Sequence, residues 1–424
     1  MCIAVVKFLP VLVGPSKLTA QTTTEKFILS SFDCSLAGIS ATSLLVFDQP
    51  IKEPIETIKR AMSQALVHYY PIAGRLCIPE NDNELPIIAC TGEGVFFWGA
   101  SAKCTLESVN FSSPTSLKEL LKDLAVYVPS GGWRHTDPLL LMQVTEFLCG
   151  GFVIGVTWNH AIADGIGMAQ FLQAIGELVR GLSTLSVAPI RIDELLAVLS
   201  PSSVEAKQLA MGIDESDFAC FEISVQPSLA SSIKVDLNSN SSGEPNTMFE
   251  VVSAMLWQCR TRAVISNHNA PAPLIFAANM RKHVGAKDGY YGNCIIPVVV
   301  LATSGAVAGS SIKELVNLIK SAKERIPDMY NDSEIDILRG LDLEQLSMVI
   351  GYNAFYVSSW VNLGFDMADF GSGRPARVMS HMEANVPMCV PCPPCKGKDE
   401  VNVFCRCVKE EHVNSFVGEL SRFK

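Results

Sequence analysis

Two buried strands followed by a polar turn and a helix constrain the fold of this chain more than any other feature. Residues 139–145 and 152–159 are apolar runs of strand length, and the Gly150-Gly151 pair predicts the turn between them. An apolar stripe at helical spacing then runs from about residue 165 to residue 179. Strands followed by helices in this order are typical of an α/β fold.

The same alternation extends over most of the chain. The predicted strands are residues 27–31, 42–47, 139–145, 152–159, 218–225, 274–278, 295–301 and 401–407. The predicted helices are residues 55–68, 165–179, 247–259, 312–325 and 410–423, and the third begins with a T-x-x-E capping box, Thr247 and Glu250. Periodicity weakens over residues 186–216, which we interpret as a crossover linker between an N-terminal domain, 1–185, and a C-terminal domain, 217–424.

Composition excludes several classes of function. Of the 424 residues, 48% are hydrophobic and 18% are charged, which excludes an intrinsically disordered chain. The net charge of −10 argues against a nucleic-acid partner or an anionic membrane surface, because both require a basic face on the protein. No stretch predicts a membrane span, since the best candidate, residues 294–312, is interrupted by Pro297 and two glycines.

The cysteines favour a reducing compartment. Residues 1–13 lack the basic region of a signal peptide, so the 14 cysteines predict free thiols in a cytoplasmic protein. Five of them cluster near the C-terminus, at Cys389, Cys392, Cys395, Cys405 and Cys407. Repeated C-x-x-C spacing is typical of zinc sites, but prolines between these cysteines stiffen the chain, and we predict no metal site there.

A histidine and an aspartate follow the second strand in the pattern His160-x-x-x-Asp164-Gly165. One interpretation is local: a loop histidine with satisfied hydrogen bonds and an aspartate that caps the next helix. The other is catalytic, because a histidine at the carboxyl end of a buried strand is held rigidly and its type suits proton transfer near neutral pH. No G-x-S-x-G nucleophile elbow accompanies it, so a single base that serves direct transfer between two substrates is simpler than a triad.

A second pattern, Asp369-Phe370-Gly371, matches one motif of protein kinases. The sequence lacks the H-R-D loop, the glycine-rich loop and the V-A-I-K lysine of a kinase, which excludes that class. The local alternative is a tight glycine turn whose backbone amides bond to the Asp369 carboxylate.

Four motifs occur in the order found in one enzyme family. They are Tyr70-Pro71-Ile72-Ala73-Gly74-Arg75-Leu76, His160-Ala161-Ile162-Ala163-Asp164-Gly165, Asn279-Met280-Arg281 with Gly289-Tyr290-Tyr291-Gly292-Asn293, and Ser358-Ser359-Trp360 ahead of Asp369-Phe370-Gly371. Each motif alone is weak, but the ordered set covers nearly the whole chain. The chain therefore resembles the plant BAHD acyltransferases, which use acyl-CoA donors.

The resemblance implies an α/β fold of two similar-sized domains that are like chloramphenicol acetyltransferase protomers. Their mixed sheets would carry flanking helices, a crossover loop would join them, and a channel between them would reach His160 from both ends. The N-terminal domain would carry H-x-x-x-D-G and the C-terminal domain D-F-G-x-G. The implied partners are acyl-CoA, as a co-substrate with no permanently bound cofactor, and a small alcohol or amine acceptor. The implied protein is a cytoplasmic monomer of plant specialised metabolism.

The resemblance also assigns roles to individual residues. His160 would take the proton from the acceptor, and Trp360 would donate its indole N–H to the oxyanion, unless that residue is only a core aromatic. Asp369 would hold the loop around the donor channel, with a direct proton role as the lesser alternative. Asp164 would be a structural partner, ion-paired with Arg281 and pointing away from the substrate.

The donor side is assigned to the start of the helix at Thr247, whose amides and dipole favour an anion. The resemblance implies that Thr247, Ser253 and Ser358 contact CoA. The alternative for these residues is that they are helix caps and surface positions.

Departures from the family pattern leave rival functions open. Ser372 replaces the tryptophan of D-F-G-W-G, and His283 replaces the second basic residue of an R-x-R pair. A catalytically impaired relative that acts as a binding or regulatory protein is therefore the alternative to an active enzyme. A condensation-type acyltransferase that uses a carrier-protein thioester is a further rival, although Asn159 stands where such enzymes usually have a first histidine.

Overall fold

The structure is a computed structural model. It describes residues 4–18, 25–78, 86–111, 120–128, 132–191, 198–199, 218–226, 228, 246–331, 334–335, 351–381 and 386–423. Most of the predicted linker, 192–197 and 200–216, lies outside these residues.

The strands, in chain order, are β1 Val5–Lys7, β2 Val11–Val13, β3 Lys26–Ile28, β4 Ser40–Phe47, β5 Arg75–Cys77, β6 Ile87–Ala89, β7 Val95–Ala102, β8 Leu140–Phe147, β9 Phe152–Asn159, β10 Val198–Leu199, β11 Phe221–Val225, β12 Leu274–Asn279, β13 Ile295–Val300, β14 Tyr330–Asn331, β15 Glu334–Ile335, β16 Phe355–Val357, β17 Arg377–His381, β18 Met388–Cys392 and β19 Val401–Arg406. The α-helices are α1 Ser31–Leu36, α2 Pro54–His68, α3 Gly165–Val179, α4 Met248–Val264, α5 Ser304–Gly309, α6 Ile312–Glu324 and α7 Glu410–Ser421. Short 3₁₀ turns lie at Tyr70–Ala73, Leu106–Ser108, Pro327–Met329 and Phe365–Met367.

The chain divides into two compact units. The first contains Met1–Leu196, Gly285–Cys294 and Asn362–Glu383, and the second contains Ala197–Val284, Ile295–Val361 and Ala384–Lys424. The two units therefore do not coincide with the two halves of the chain, because two segments of the C-terminal half belong to the first unit. The predicted boundaries at residues 185 and 217 stay a prediction.

A mixed sheet forms the centre of the first unit. Its strand order is β1-β7-β8-β9-β4-β17, with β2 also paired to β7, and a smaller sheet has the order β3-β6-β5. Strand β9 is buried at every position and pairs antiparallel with both β4 and β8. Because β9 is buried at every position, both faces of the strand are covered by other parts of the protein. Helices α2 and α3 also pack together in this unit. The end of β9 is therefore firmly positioned.

The second unit has its own six-stranded mixed sheet. Its order is β11-β19-β18-β16-β12-β13, and β12, β16 and β18 run parallel to one another. Helix α4 packs against α6 and α7, and most of its side chains are buried. The predicted capping box is confirmed, since Thr247 is the N-cap residue and Glu250 bonds back to its N–H.

Two predicted elements differ from those observed. The strand predicted at residues 27–31 ends at Ile28, and α1 begins at Ser31, because Ser30 and Asp33 form a capping box that sequence analysis overlooked. Between the strand predicted at residues 295–301 and the helix predicted at 312–325, the structure has a further short helix, α5, which Thr303 caps through the N–H of Ala306.

Among the described helices, none combines the length and the hydrophobicity that a membrane span requires.

Candidate active site

His160 lies one residue beyond strand β9 in the first unit. Its backbone N–H donates to the carbonyl oxygen of Ile39 at 2.8 Å, and the preceding Asn159 N–H donates to Leu139 at 2.9 Å. These bonds continue the pairing of β9 with its two neighbours past the last strand residue. The side chain is 8% exposed, so the ring is held nearly enclosed at the end of a rigid strand.

Asn293 determines which nitrogen of His160 carries the proton. The Asn293 Nδ2 group donates to Asp33 Oδ1 at 2.8 Å and to the His160 carbonyl at 2.7 Å. These two acceptors fix the orientation of the amide, so Asn293 Oδ1 faces His160 Nδ1 at 3.0 Å. A carbonyl oxygen only accepts, and Nδ1 must therefore carry a hydrogen. The free lone pair of the neutral ring then resides on Nε2.

The electrostatic surroundings keep this ring neutral. Burial lowers the pKa of His160 below its ordinary value of 6.5, and the Asp164 carboxylate and the Asn293 hydrogen bond oppose that shift only in part. At neutral pH the imidazole is therefore uncharged and can accept a proton at Nε2.

A buried ion pair supports Asn293 from behind. Arg191 Nη2 lies 3.1 Å from Asp33 Oδ1, and the two side chains are 5% and 0% exposed. Arg191 also donates to the Ala161 carbonyl at 3.1 Å and lies over the Phe27 ring at 4.6 Å. Burial alone would lower the pKa of Arg191, but the Asp33 carboxylate raises it above the ordinary value. Polar contacts therefore run continuously from Arg191 through Asp33 and Asn293 to His160.

Asp164 has a structural place beside the histidine. It is 1% exposed and is the N-cap of α3, where Oδ1 accepts from Gly167 N–H at 3.0 Å and Oδ2 accepts from Cys294 N–H at 3.1 Å. Arg281 lies in the second unit, where its N–H donates to Asn279 Oδ1 at 3.0 Å. The ion pair between Asp164 and Arg281 stays a prediction.

Helix α3 meets the segment that carries Asn293 at very close range. A Cβ added at Gly167 would lie 1.8 Å from the Tyr291 carbonyl oxygen, so only glycine fits there. One turn further along, Gln170 Nε2 donates to the Gly289 carbonyl at 3.0 Å. These contacts fix the position of Asn293 relative to His160.

Asp369 organises a loop at the other end of α3. Its Oδ1 accepts from the N–H groups of Gly371 and Gly373 at 2.8 and 2.9 Å, and its Oδ2 lies 3.6 Å from Arg180 Nη1. The backbone of Asp369 packs against Gly176. At a rise of about 1.5 Å per residue, Gly176 lies roughly 18 Å along the helix from Asp164. This position suits the loop-holding role and does not suit a proton transfer at His160.

The remaining predicted site residues lie in the second unit. Trp360 is buried and its backbone N–H donates to the Pro391 carbonyl at 2.7 Å, while Ser358 N–H donates to the Cys389 carbonyl at 3.1 Å. Thr247 is exposed and uses its hydroxyl to cap α4. Ser253 is fully buried, and its hydroxyl has no hydrogen-bond partner among the described residues.

Sequence analysis missed three members of this site. Asn293 belongs to the quoted G-Y-Y-G-N motif, but that motif carried no role for it. Asp33 had a local signal, the S-x-x-D capping box with Ser30. Arg191 had none, because it lies in the stretch interpreted as linker.

The first unit thus presents a neutral, buried imidazole with one fixed tautomer and a nearby carboxylate. Such a group can take a proton from a bound hydroxyl or amine and return it later in the reaction. Among the described residues, no group of three histidine, cysteine, aspartate or glutamate side chains could hold a metal ion.

Comparison with known proteins identifies the family. The model of the Transferase family matches residues 10–422. This chain belongs to that family, the BAHD acyltransferases. The acyltransferase is 42% identical to Acyl transferase 15 of Oryza sativa subsp. japonica over 100% of its own length and 99% of the relative. It is 32% identical to a myricetin 3-O-glucosyl 1,2-rhamnoside 6'-O-caffeoyltransferase, AT1, of Crocosmia x crocosmiiflora, with 100% of both chains covered.

Solved structures confirm the predicted fold class of this acyltransferase. The crystal structure of vinorine synthase matches with a TM-score of 0.74 at 19% identity, over 99% of this chain and 98% of that one. TRI101 of F. sporotrichioides, complexed with coenzyme A and T-2, matches with a TM-score of 0.68 at 17% identity, over 94% and 99%.

Proposed function

We propose that this acyltransferase moves an acyl group from acyl-CoA to a hydroxyl of a small plant metabolite, with His160 Nε2 as the general base. The observation that carries the proposal is the Asn293 contact that places the His160 proton on Nδ1. Named relatives support the substrate classes, since AT1 is called a caffeoyltransferase and TRI101 was crystallised with coenzyme A. An amine acceptor remains the second candidate, because a relative from Taxus canadensis, 32% identical, is named an N-benzoyltransferase.

The residues of the site suit a direct transfer without a covalent enzyme intermediate. Nε2 takes the proton of the acceptor hydroxyl as its oxygen attacks the thioester carbonyl. The tetrahedral intermediate then collapses, the carbon–sulfur bond breaks, and Nε2 returns the proton to the leaving thiolate. While the ring is charged, the Asp164 carboxylate and the Asn293 carbonyl oxygen stabilise it. We assign the oxyanion to the indole N–H of Trp360.

Ser253 stays among the residues proposed to contact CoA because the resemblance implies it. It is fully buried, so a bond between CoA and its hydroxyl requires the side chains that cover it to move. Thr247 is exposed, but its hydroxyl already caps α4 and the Glu250 carboxylate lies beside it. Ser358 joins the proposal because it directly precedes Ser359-Trp360.

No observation favours a catalytically impaired binding protein. Ser372 replaces the signature tryptophan, yet Asp369 still holds both glycines of that loop. His160 keeps the hydrogen bond to Asn293 that orients its ring.

We propose that the enzyme acts as a cytoplasmic monomer. The described cysteines are all free thiols, as is typical of a reducing compartment. The monomeric state is what the family resemblance implies.

A thiol-release assay over a panel of acyl-CoA donors and alcohol or amine acceptors tests this function. We expect CoA release that requires both an acyl-CoA and an acceptor, with the acylated acceptor detected by mass spectrometry. Absence of turnover over acetyl, benzoyl, malonyl and hydroxycinnamoyl donors with phenolic and aliphatic alcohols, or release without any acylated acceptor, would contradict it.

A further inference from the structure

Two side chains at the end of strand β9 contact the turn that carries His160. Residues 160–164 belong to neither a helix nor a strand, so no regular ladder of backbone hydrogen bonds fixes this turn. Trp158 and Asn159 are the last two residues of β9 and are 1% and 0% exposed. Successive side chains of a strand point to opposite faces, so these two reach the turn from different sides.

Trp158 bonds to the far end of the turn and lies beside the imidazole. Its indole Nε1–H donates to the carbonyl oxygen of Ala163 at 3.0 Å, and Ala163 directly precedes the helix cap Asp164. The centroid of its ring lies 6.4 Å from that of the His160 ring. A buried indole N–H that loses its acceptor costs free energy, so this bond keeps the turn folded back onto Trp158.

Asn159 bonds to the near end of the turn and to the segment that precedes β4. Its Oδ1 accepts from Ala161 N–H at 3.0 Å and from Gly38 N–H at 3.2 Å, and these two donors fix the orientation of the amide. Gly38 directly precedes Ile39, whose carbonyl oxygen accepts from His160 N–H at 2.8 Å. The Asn159 side chain therefore joins the two segments that hold the backbone of His160.

Side chains supply much of the hydrogen bonding of this turn. Asn293, Arg191 and Trp158 each donate to a different backbone carbonyl of residues 160–163, and Asn159 accepts from one of its N–H groups. Asn293 and Arg191 come from other segments of the chain, whereas Trp158 and Asn159 belong to the strand that carries the turn. The position of the ring relative to β9 therefore depends on these last two side chains.

We propose that Trp158 and Asn159 are positioning residues for the proton transfer, which hold the His160 imidazole where its Nε2 reaches the acceptor hydroxyl. This role rests on the proposed function, since both residues act through His160. Loss of either set of bonds lets the turn and the ring shift, and a displacement of about 1 Å at a reacting group costs on the order of 10²-fold in rate. The same shift disturbs the contact between Nδ1 and Asn293 that sets the tautomer.

Trp158→Phe removes the indole N–H and keeps an aromatic ring. We expect kcat to fall between about 10- and 10²-fold while KM for acyl-CoA and for the acceptor stays within about twofold, because the bond acts on the reacting geometry and not on substrate binding. Trp98→Phe, at a half-buried position of β7, is the matched control and should leave both constants unchanged. A Trp158→Phe enzyme with the wild-type kcat, or with a raised KM alone, would overturn the role of Trp158.

Two variants of Asn159 separate its hydrogen bonds from its place in the core, and they decide the question alone if Trp158→Phe does not fold. Asn159→Asp keeps an oxygen acceptor for both N–H groups, and it replaces only an Nδ2 group that has no hydrogen-bond partner among the described residues. Asn159→Ala removes the acceptor. We expect kcat to fall at least about tenfold in Asn159→Ala and to stay within about threefold of wild type in Asn159→Asp. Equal losses in the two variants would overturn the role of Asn159.

A spectroscopic measurement on the same variants needs no substrate. The protein is labelled with ¹⁵N-histidine, its NMR spectrum is recorded at pH 8, and the His160 signals are identified by their loss in His160→Gln. We expect the wild-type ring to carry its proton on Nδ1 alone, and the rings of Trp158→Phe and Asn159→Ala to populate both tautomers. Unchanged ¹⁵N shifts in both variants would overturn the proposal. A wild-type ring with the proton on Nδ1 in an enzyme without turnover would instead count against the proposed function.

Discussion

At the scale of single residues, the chemistry depends on one imidazole whose proton is placed by a neighbour. Asn293 accepts from Nδ1 and is itself oriented by Asp33, so the basic nitrogen is Nε2 in every neutral ring. Burial keeps that ring neutral. The fixed tautomer and the lowered pKa of His160 each lead to a testable prediction about the rate of acyl transfer.

The first prediction concerns pH. Since the base works only unprotonated and its pKa is lowered by burial, kcat/KM should fall as pH decreases through a value below 6.5, the ordinary histidine pKa. The measurement is CoA release from pH 4.5 to pH 8 with a stability check at each pH. An acid limb with its midpoint above pH 6.5 would show that burial does not lower the pKa of His160 in the free enzyme.

The second prediction concerns Asn293. Asn293→Ala removes the acceptor at Nδ1 and lets the ring adopt the other tautomer, so kcat should fall between about 10²- and 10⁴-fold. Asn269→Ala, an exposed asparagine, is the matched control and should leave kcat unchanged. Comparable kcat values for the two variants in folded protein would remove Asn293 from the mechanism.

At the scale of elements, α3 connects the two ends of the site. Its N-cap Asp164 lies beside His160, its first turn touches the Tyr291 backbone, and its last turn packs on Asp369. The close approach at Gly167 is the contact most sensitive to substitution.

The third prediction follows from that approach. Gly167→Ala forces α3 and residue 291 apart, which should lower the free energy of unfolding by about 1–3 kcal/mol and reduce kcat as Asn293 moves. Gly418→Ala places a Cβ in open space on α7 and should instead be neutral or stabilising by up to about 1 kcal/mol. Denaturant unfolding and steady-state kinetics of both variants measure this. Equal changes in the free energy of unfolding for the two variants would show that α3 can move away from residue 291 without loss of stability.

At the scale of the whole molecule, long-range polar contacts hold the first unit around its site. The Arg191–Asp33 pair is fully enclosed and joins chain segments that are far apart in sequence. A buried pair of this kind is much more costly to break than a surface pair.

The fourth prediction compares such pairs. Asp33→Asn should lower the free energy of unfolding by about 3–5 kcal/mol, because it leaves the Arg191 charge buried without a counter-charge. Glu56→Gln removes one partner of the exposed Lys59–Glu56 pair and should cost less than about 1 kcal/mol. Urea unfolding of both variants checks the difference. If Asp33→Asn lowered the free energy of unfolding no more than Glu56→Gln does, the buried Arg191–Asp33 pair would contribute no more to stability than a surface pair.

The sequence predicted those features that depend on local pattern. Strand β9, the helix that follows it and the capping box at Thr247 all carry periodic or capping signals, and the ordered motifs pointed to His160 and to the family. The Asp33–Arg191 pair could not be predicted, because no rule of spacing links two residues so distant in sequence. The return of residues 285–294 and 362–383 to the first unit is likewise set by tertiary packing and has no local signal.

The most direct test of the central claim is the rate of CoA release by His160→Ala beside His268→Ala, an exposed histidine. With both variants shown to unfold at the wild-type temperature, we expect kcat of His160→Ala to fall at least about 10²-fold and kcat of His268→Ala to stay at the wild-type value. A His160→Ala enzyme that transfers acyl groups within about threefold of the wild-type rate would contradict the assignment of His160 as the base.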